Sequence, residues 1–322
     1  MWVVSWDAPV TARPIRAGPR IRLYAVIEHS GAPRLRVAVI GVGRVGSVLG
    51  AALSRAGHLV VAGAGVSDES TRRAARLLPG VSLVPADEAV SEADLVLLTV
   101  PDDQLGRLID GLAATGAWQR GQLAVHTSGA HGIGIFAAAT ALGVVGMALH
   151  PVMTFAGRSE DLLRLDGAAF GVTAPAEFRP VAETLVLELG GEPVWVPEAA
   201  RASYHAALSM GSNHLVTLVN DSSDVLRAAG VEDPVRLLGP LLSASLDNAL
   251  RLGDEALTGP VSRGDRATVE AHLTALRGTP FLQPYLAMAL RTMQRAHAAG
   301  RLSRQQCAEL IEGIEKAGGS HP

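Results

Sequence analysis

The chain has 322 residues, of which 48% are hydrophobic and 18% charged, so it has the composition of a packed globular protein of roughly two domains rather than of a disordered chain. The net charge of −3 gives no basic surface for nucleic acid, and no apolar run reaches the ~20 residues of a membrane span. The single cysteine, Cys307, excludes an internal disulfide and fits a reducing cytoplasm. We therefore expect a cytoplasmic protein without nucleic-acid or membrane partners.

The first 33 residues contain four prolines and follow no helical or strand period. Proline removes a backbone donor and disfavours regular structure. We expect residues 1–33 to form an extended or disordered leader.

Short apolar runs alternate with helical patterns from residue 34 onward. Strands are predicted near residues 35–40, 59–64, 81–84, 94–100, 122–127, 144–149 and 168–173. Helices are predicted near residues 44–56, 68–78, 86–91, 102–114, 132–142 and 175–189, with a last short strand at 194–196. This alternation predicts an α/β domain with a doubly wound parallel sheet over residues 34–197.

A glycine-rich turn, Gly41-Val42-Gly43-Arg44-Val45-Gly46, follows the first strand. In a dinucleotide-binding turn the first glycine allows the tight turn, the second admits a pyrophosphate and the third lets the helix pack closely. The free N–H groups of the helix N-terminus then face the phosphates. The turn predicts a bound NAD or NADP.

Cofactor choice depends on the end of the second strand, where NAD-binding proteins usually carry an acidic residue. Val61 stands at that spacing, whereas Ser67 with Arg72 and Arg73 suits a 2′-phosphate. We therefore expect NADP, although the acidic pair Asp68-Glu69 leaves NAD open. Val100 and Pro101 should pass beside the ribose and nicotinamide.

Two histidines lie at the carboxyl ends of predicted strands, His126 at the end of the fifth and His150 at the end of the sixth. Ligands of open parallel sheets bind beyond the carboxyl ends of the strands, and histidine can supply a proton near neutral pH. Either histidine is therefore a candidate acid, with Ser128 orienting the substrate. Alternatively, each histidine satisfies a loop carbonyl.

The chain from residue 198 to 322 has no strand pattern, so a helical substrate and dimerisation domain is predicted there. Its helices fall near residues 198–229, 232–252, 265–277, 281–298 and 303–316. The first is apolar on more than one face, which suits a large core or the interface of a homodimer.

Three polar segments interrupt this helical region. His205, Ser209, Ser212 and Asn213 share one helical face, with Tyr204 at its edge. Asn248 lies in a second polar segment. The third is a loop in which Arg263 is suited to hold a substrate carboxylate, although helix capping at Asp265 explains part of this pattern equally well. The histidines have no metal-ligand spacing, so no metal is expected.

These motifs occur in the order found in one bacterial family. Five motifs carry the resemblance: the glycine turn, His126-Thr127-Ser128-Gly129, His150-Pro151 with Thr154-Phe155, Tyr204-His205-Ala206-Ala207 with Ser212-Asn213, and Thr258-Gly259-Pro260 with Arg263-Gly264-Asp265. Over residues 34–315 the chain resembles proteins that join a Rossmann-like domain to the domain of unknown function 2520. This resemblance implies an NADP-binding fold and a helical dimerisation domain of the type that ends 6-phosphogluconate dehydrogenases.

More distantly, the chain is similar to pyrroline-5-carboxylate reductase and ketopantoate reductase. It departs from the latter because Lys316 is its only lysine. We expect an NADPH-dependent reductase of a small carboxylated ketone or imine, with ketopantoate as the leading substrate. In this hypothesis His150 or His126 delivers the proton. Ser128 and Asn213 orient the reacting group, and Tyr204, Ser212, Asn248 and Arg263 bind the substrate. The alternative is an NADP(H)-binding regulator without turnover.

Overall fold

The computed structural model describes residues 34–318, and the predicted leader 1–33 lies outside that range. The strands are β1 Arg36–Ile40, β2 Leu59–Ala64, β3 Ser82–Leu83, β4 Leu95–Leu98, β5 Leu123–His126, β6 Val145–Pro151, β7 Ala169–Thr173 and β8 Glu192–Trp195. The helices between them are α1 Arg44–Arg55, α2 Asp68–Leu77, α3 Ala86–Ser91, α4 Asp102–Ala114, α5 Ala137–Ala141, α6 Asp161–Arg164 and α7 Arg179–Glu188. The order confirms the predicted α/β class.

The eight strands form one sheet in the order β3-β2-β1-β4-β5-β6-β7-β8. The first six are parallel and follow the order of a Rossmann fold. β7 runs antiparallel to β6, and β8 runs parallel to β7, which the sequence did not predict. Between β6 and β7 the only α-helix is the four-residue α6, a piece too short to carry the chain back across a sheet face.

Alternate residues of the strands face two separate apolar cores. In β1, Val37 and Val39 pack in the core that α1, α2 and α7 cover, and Ala38 and Ile40 pack in the core that α3, α4 and α5 cover. Because each central strand is buried on both faces, its sequence is a continuous apolar run, which is why the strands could be predicted.

The chain separates into two compact units, and the boundary follows Asn213. The second unit has its own apolar core, which contains Leu273, Met293, Leu310 and the buried Cys307. Its helices are α9 Leu215–Ala228, α10 Pro234–Leu252, α11 Pro260–Arg263, α12 Arg266–Leu276, α13 Leu282–Ala298 and α14 Arg304–Gly318. This confirms the predicted all-α region. The predicted domain boundary after residue 197 stays a prediction.

The first predicted helix of this region, residues 198–229, is not a single α-helix. It consists of a 3-10 turn at Glu198–Ala200, helix α8 at Arg201–Ser209, a π-helical turn at Met210–His214 and then α9. A π-helical turn inserts an extra residue into a helix and is frequent at functional sites. In residues 34–318 no helix combines the length and apolar character needed to cross a membrane.

Candidate functional site

The glycine turn has the geometry that its sequence predicted. Gly41 has φ = +97°, and a Cβ placed there would lie 2.8 Å from the carbonyl oxygen of Thr99. A Cβ at Gly46 would lie 2.3 Å from both the Gly41 carbonyl oxygen and the Thr99 Oγ1. Because real Cβ atoms cannot approach backbone so closely, neither position tolerates a side chain.

The middle glycine, Gly43, faces open space, since the nearest atom to a Cβ there would be 3.9 Å away. Helix α1 starts at the exposed Arg44, with no side-chain cap and no acidic residue in its first turn. Val42 is buried beneath the turn and Val45 is half-buried. The first N–H groups of α1 are therefore left for an anion, and the turn fits a pyrophosphate.

A cavity of about 520 Å³ opens over this turn. Val100 and Pro101 line it, and so does Ser67, whose hydroxyl also caps α2 by accepting from the Ser70 N–H at 3.2 Å. Arg72 is exposed on α2 and is not among the lining residues. Arg107 of α4 lines the cavity instead, a residue that the sequence did not single out.

The loops after β4, β5 and β6 lie side by side at the same edge of the sheet. The register pairs Leu98 with His126 and His126 with Ala148, so β4 and β5 end together, and β6 continues for three more residues to Pro151. Neighbouring strands are about 4.8 Å apart. Ser128 therefore follows β5, the strand next to β4, and His150 lies near the end of β6, two strands away from β4. We call the cavity over the glycine turn, at which β4 ends, the dinucleotide cavity.

His126 is fully buried, and both ring nitrogens have backbone partners. Nε2 lies 3.0 Å from the Gly132 carbonyl oxygen, and Nδ1 accepts from the Ser128 N–H at 3.2 Å. Burial lowers the pKa of His126 to about 4, so the ring is neutral near pH 7. This geometry favours the structural alternative and argues against the predicted proton transfer, because the ring has no free nitrogen and no access to solvent.

Ser128 is also only 7% exposed. Its Oγ accepts from the N–H groups of Ala130 and His131, both at 3.2 Å, so the hydroxyl stabilises the loop after β5. Glu198 fixes the far end of the same loop by accepting from the N–H groups of Ile133 and Gly134 at 2.8 and 2.9 Å. Sequence reasoning missed Glu198 because its partners lie more than 60 positions away.

His150 is paired with Tyr204, whose phenolic oxygen lies 2.9 Å from Nδ1. The tyrosine reaches across β7 because Gly171 has no side chain there; a Cβ at Gly171 would lie 2.2 Å from that oxygen. The imidazole of His205 packs edge-on to His150, with ring centroids 6.0 Å apart. Burial, with a smaller effect of His205, lowers the pKa of His150 to about 4.

A buried guanidinium lies beside this pair. Arg201 is 2% exposed and donates to the Thr173 hydroxyl at 2.8 Å and to the carbonyl oxygens of Ala148 and Gly171, both at 3.1 Å. Its Cζ is 5.7 Å from the centroid of the Tyr204 ring. Burial raises the pKa of Tyr204, and the positive charge of Arg201 acts in the opposite direction.

A second cavity of about 450 Å³ lies against His150. Around it are Thr154, His205, Ser209, Ser212 and Asn213, so the polar helical face predicted from the sequence meets the end of β6. Ser212 and Asn213 belong to the π-helical turn. Tyr204 does not line this cavity and contacts His150 from behind.

The other two predicted substrate residues belong to the second unit. The side-chain oxygen of Asn248 accepts from Arg251 at 3.1 Å, and Arg263 donates to the Thr258 carbonyl oxygen. Asp265 caps α12 by accepting from the Thr268 N–H at 3.1 Å, as the capping interpretation predicted. Within residues 34–318 no three His, Cys, Asp or Glu side chains are grouped as metal ligands.

Comparison with known proteins agrees with the order of these domains. A family model for the Rossmann-like domain matches residues 27–151, and one for a domain of unknown function, DUF2520, matches residues 168–292. The chain is therefore similar to a Rossmann-like domain over the first of these ranges and to DUF2520 over the second. The resemblance stated from the sequence is thereby confirmed. No curated protein matches the chain.

Several solved structures share the fold of this chain. A protein described as an NADP oxidoreductase from Bacteroides fragilis is 20% identical with a TM-score of 0.68, over 81% of this chain and 98% of that one. A reductive aminase from Aspergillus terreus, in complex with NADPH and ethyl levulinate, is 17% identical with a TM-score of 0.61, over 87% and 99%. An imine reductase from Pseudomonas sp. is 21% identical with a TM-score of 0.60, over 88% and 100%.

Proposed function

We propose that this protein is an NADPH-dependent reductase that acts on a small carboxylated ketone or imine. The observation that carries the proposal is that His150, hydrogen-bonded to Tyr204, lines a polar cavity and lies on a strand two positions from β4, which ends at the dinucleotide cavity. The fold that it shares with a reductive aminase solved with NADPH supports the same chemistry.

The nucleotide would be held by the glycine turn, with its pyrophosphate at Gly43 and the N-terminus of α1. Val100 and Pro101 would lie along the ribose and the nicotinamide. When bound, the nicotinamide supplies a hydride for the carbon of a C=O or C=N bond.

The proton for the oxygen or nitrogen would come through His150. Since its pKa of about 4 keeps the ring neutral near pH 7, one ring nitrogen carries a hydrogen. With Tyr204 donating its O–H to Nδ1, that hydrogen is on Nε2 and can be given to the substrate. Transfer of the phenolic proton to Nδ1 leaves His150 neutral and the negative charge on Tyr204, close to the buried Arg201.

The substrate itself would be oriented by the remaining polar side chains of the second cavity. Asn213 and Ser212 offer an amide and a hydroxyl, and His205 adds a ring nitrogen. Ketopantoate stays the leading substrate. The contribution of Asn248 and Arg263, with Arg263 on the carboxylate, stays a prediction from the sequence.

We further propose a homodimer formed through the C-terminal helices, in the cytoplasm as the single cysteine suggests. The support is an apolar surface on α9 and α10 that includes Val216, Val235, Leu237, Leu241 and Leu250, each between 55 and 68% exposed. Clustered exposed apolar side chains on a folded protein commonly mark an interaction surface.

The test is nucleotide binding followed by turnover. Purified protein is titrated with NADPH and NADH by fluorescence, and then supplied with NADPH and a panel of 2-keto acids and cyclic imines while the nicotinamide absorbance is followed. Loss of absorbance with one compound supports the reductase and names its substrate. Binding without turnover across the panel favours the regulator, and no binding contradicts the assignment of the glycine turn.

A further inference from the structure

One side chain in the dinucleotide cavity has no role in the proposed reaction. Arg107 lies on α4 and is exposed, and of the residues that line the cavity in the described part of the chain it alone carries a charge. Gln104, one turn earlier on the same helix, lines the cavity with it. No carboxylate is among these lining residues, so nothing there suits the two free ribose hydroxyls of NAD.

The other arginines near this cavity are engaged or directed elsewhere. Arg73 is buried and pairs with Glu69 at 2.5 Å. Arg72 is exposed but does not line the cavity. Arg44 lies under the loop after β6, where a Cβ at Gly157 would be 3.1 Å from its Cγ, and it does not line the cavity either.

We propose that Arg107 binds the 2′-phosphate of NADP(H) and so determines the preference for NADP over NAD. The adenosine ribose of a nucleotide in this fold lies beyond the end of β2, where Ser67 and the first turn of α2 line the same cavity as Arg107. A guanidinium holds a phosphate through paired charge-assisted hydrogen bonds. The inference rests on the proposed function, because it assumes that a dinucleotide occupies this cavity.

The experiment compares dissociation constants for NADPH and NADH, measured by fluorescence titration, in the natural protein, Arg107→Ala, Arg72→Ala and Arg76→Ala. Arg72→Ala tests the residue that the sequence suggested for the 2′-phosphate, and Arg76→Ala is the matched control, an exposed arginine of α2 that does not line the cavity. We expect Arg107→Ala to raise the dissociation constant for NADPH by about 10- to 100-fold, the range of a charge-assisted hydrogen bond, while the dissociation constant for NADH changes less than about twofold. Arg72→Ala and Arg76→Ala should change neither dissociation constant.

The salt dependence gives a second readout, because loss of one phosphate contact should make NADPH affinity in Arg107→Ala less sensitive to ionic strength. Equal weakening of NADPH and NADH by Arg107→Ala would overturn the inference, since the side chain would then contact the adenine or the shared pyrophosphate. Selective loss of NADPH in Arg72→Ala alone would also overturn it. If the natural protein bound neither nucleotide, the proposed function itself would fail, and this inference with it.

Discussion

Tyr204 and His150 form a pair whose other contacts leave the His150 ring little freedom to turn. The backbone of Gly129 lies against it, since a Cβ there would be 3.0 Å from Nε2. With the phenolic oxygen on Nδ1 and the edge of His205 on another side, the imidazole is held in one orientation toward the second cavity. Such fixed orientation is what a proton donor requires.

Replacing Tyr204 by Phe removes only the phenolic oxygen. We expect kcat for the reduction to fall by about 100-fold, the lower end of general-acid contributions, while the dissociation constant for NADPH is unchanged. Steady-state kinetics on the substrate found in the screen, with a parallel nucleotide titration, measure both.

The second unit offers a matched control, because Tyr285 makes the same kind of hydrogen bond to His272, at 2.8 Å and with nearly the same ring geometry. Tyr285→Phe should cost a similar amount of stability and leave kcat unchanged. Equal loss of kcat in both variants would show that the effect of Tyr204→Phe is structural.

His126 should make the protein less stable in mild acid. The unfolded ring has a pKa of 6.5 and the folded ring one of about 4, so between these values the unfolded state binds more protons and stability falls as pH falls. The full difference corresponds to about 3 kcal/mol near pH 4. Chemical denaturation at pH 7, 6 and 5 measures it, and His126→Gln should reduce the dependence; an unchanged slope in that variant would contradict the assignment.

At this scale the sequence identified the polar residues but not all of their partners. His150, Ser212 and Asn213 could be placed at one cavity from strand ends and helical spacing. The burial of His126 and of Arg201 could not be predicted from the sequence, because both side chains contact carbonyl groups that only the folded sheet and loop bring within reach.

The element at which the nucleotide would bind is the turn between β1 and α1, and Gly43 provides a clean test of it. A methyl group there meets nothing of the protein but enters the space proposed for the pyrophosphate, and its φ of −74° suits any residue. We expect Gly43→Ala to weaken the binding of both NADPH and NADH by about 10-fold or more without lowering the melting temperature of the protein.

Gly111→Ala is the matched control, since this exposed glycine of α4 also has open space where a Cβ would lie. Alanine should stabilise that helix by up to about 1 kcal/mol and leave nucleotide affinity unchanged. Unchanged affinity in Gly43→Ala, measured by the same titration, would argue that the nucleotide lies elsewhere.

Local patterns were sufficient for most of the elements. Short stretches of sequence are enough to predict the central strands, from their continuous apolar runs, and α1 and α4, from their amphipathic spacing. The reversal of β7 and the π-helical turn at Met210–His214 are not, because each is decided by what the segment packs against.

For the molecule as a whole, the apolar surface of α9 and α10 predicts self-association. Leu241 and Leu250 are 61 and 66% exposed, and placing a charge at a buried apolar interface carries a large desolvation penalty. We expect Leu241→Glu to convert a dimer into a monomer at micromolar concentration, as measured by light scattering coupled to size-exclusion chromatography.

Leu163 of the first unit is the control, because it is 75% exposed and lies outside these helices. Leu163→Glu should leave the dimer intact. A natural protein that elutes as a monomer, or dissociation by both variants alike, would refute the interface.

Both edges of the sheet are ill-suited to accept a further strand. β3 is only two residues long, and β8 contains Pro193, which has no N–H to donate. Exposed strand edges are the usual starting point for fibrils, and short or proline-bearing edges prevent that growth. The apolar surface of α9 and α10 can thus associate with a partner at high protein concentration, while the sheet edges β3 and β8 are poorly suited to the strand addition by which amyloid grows.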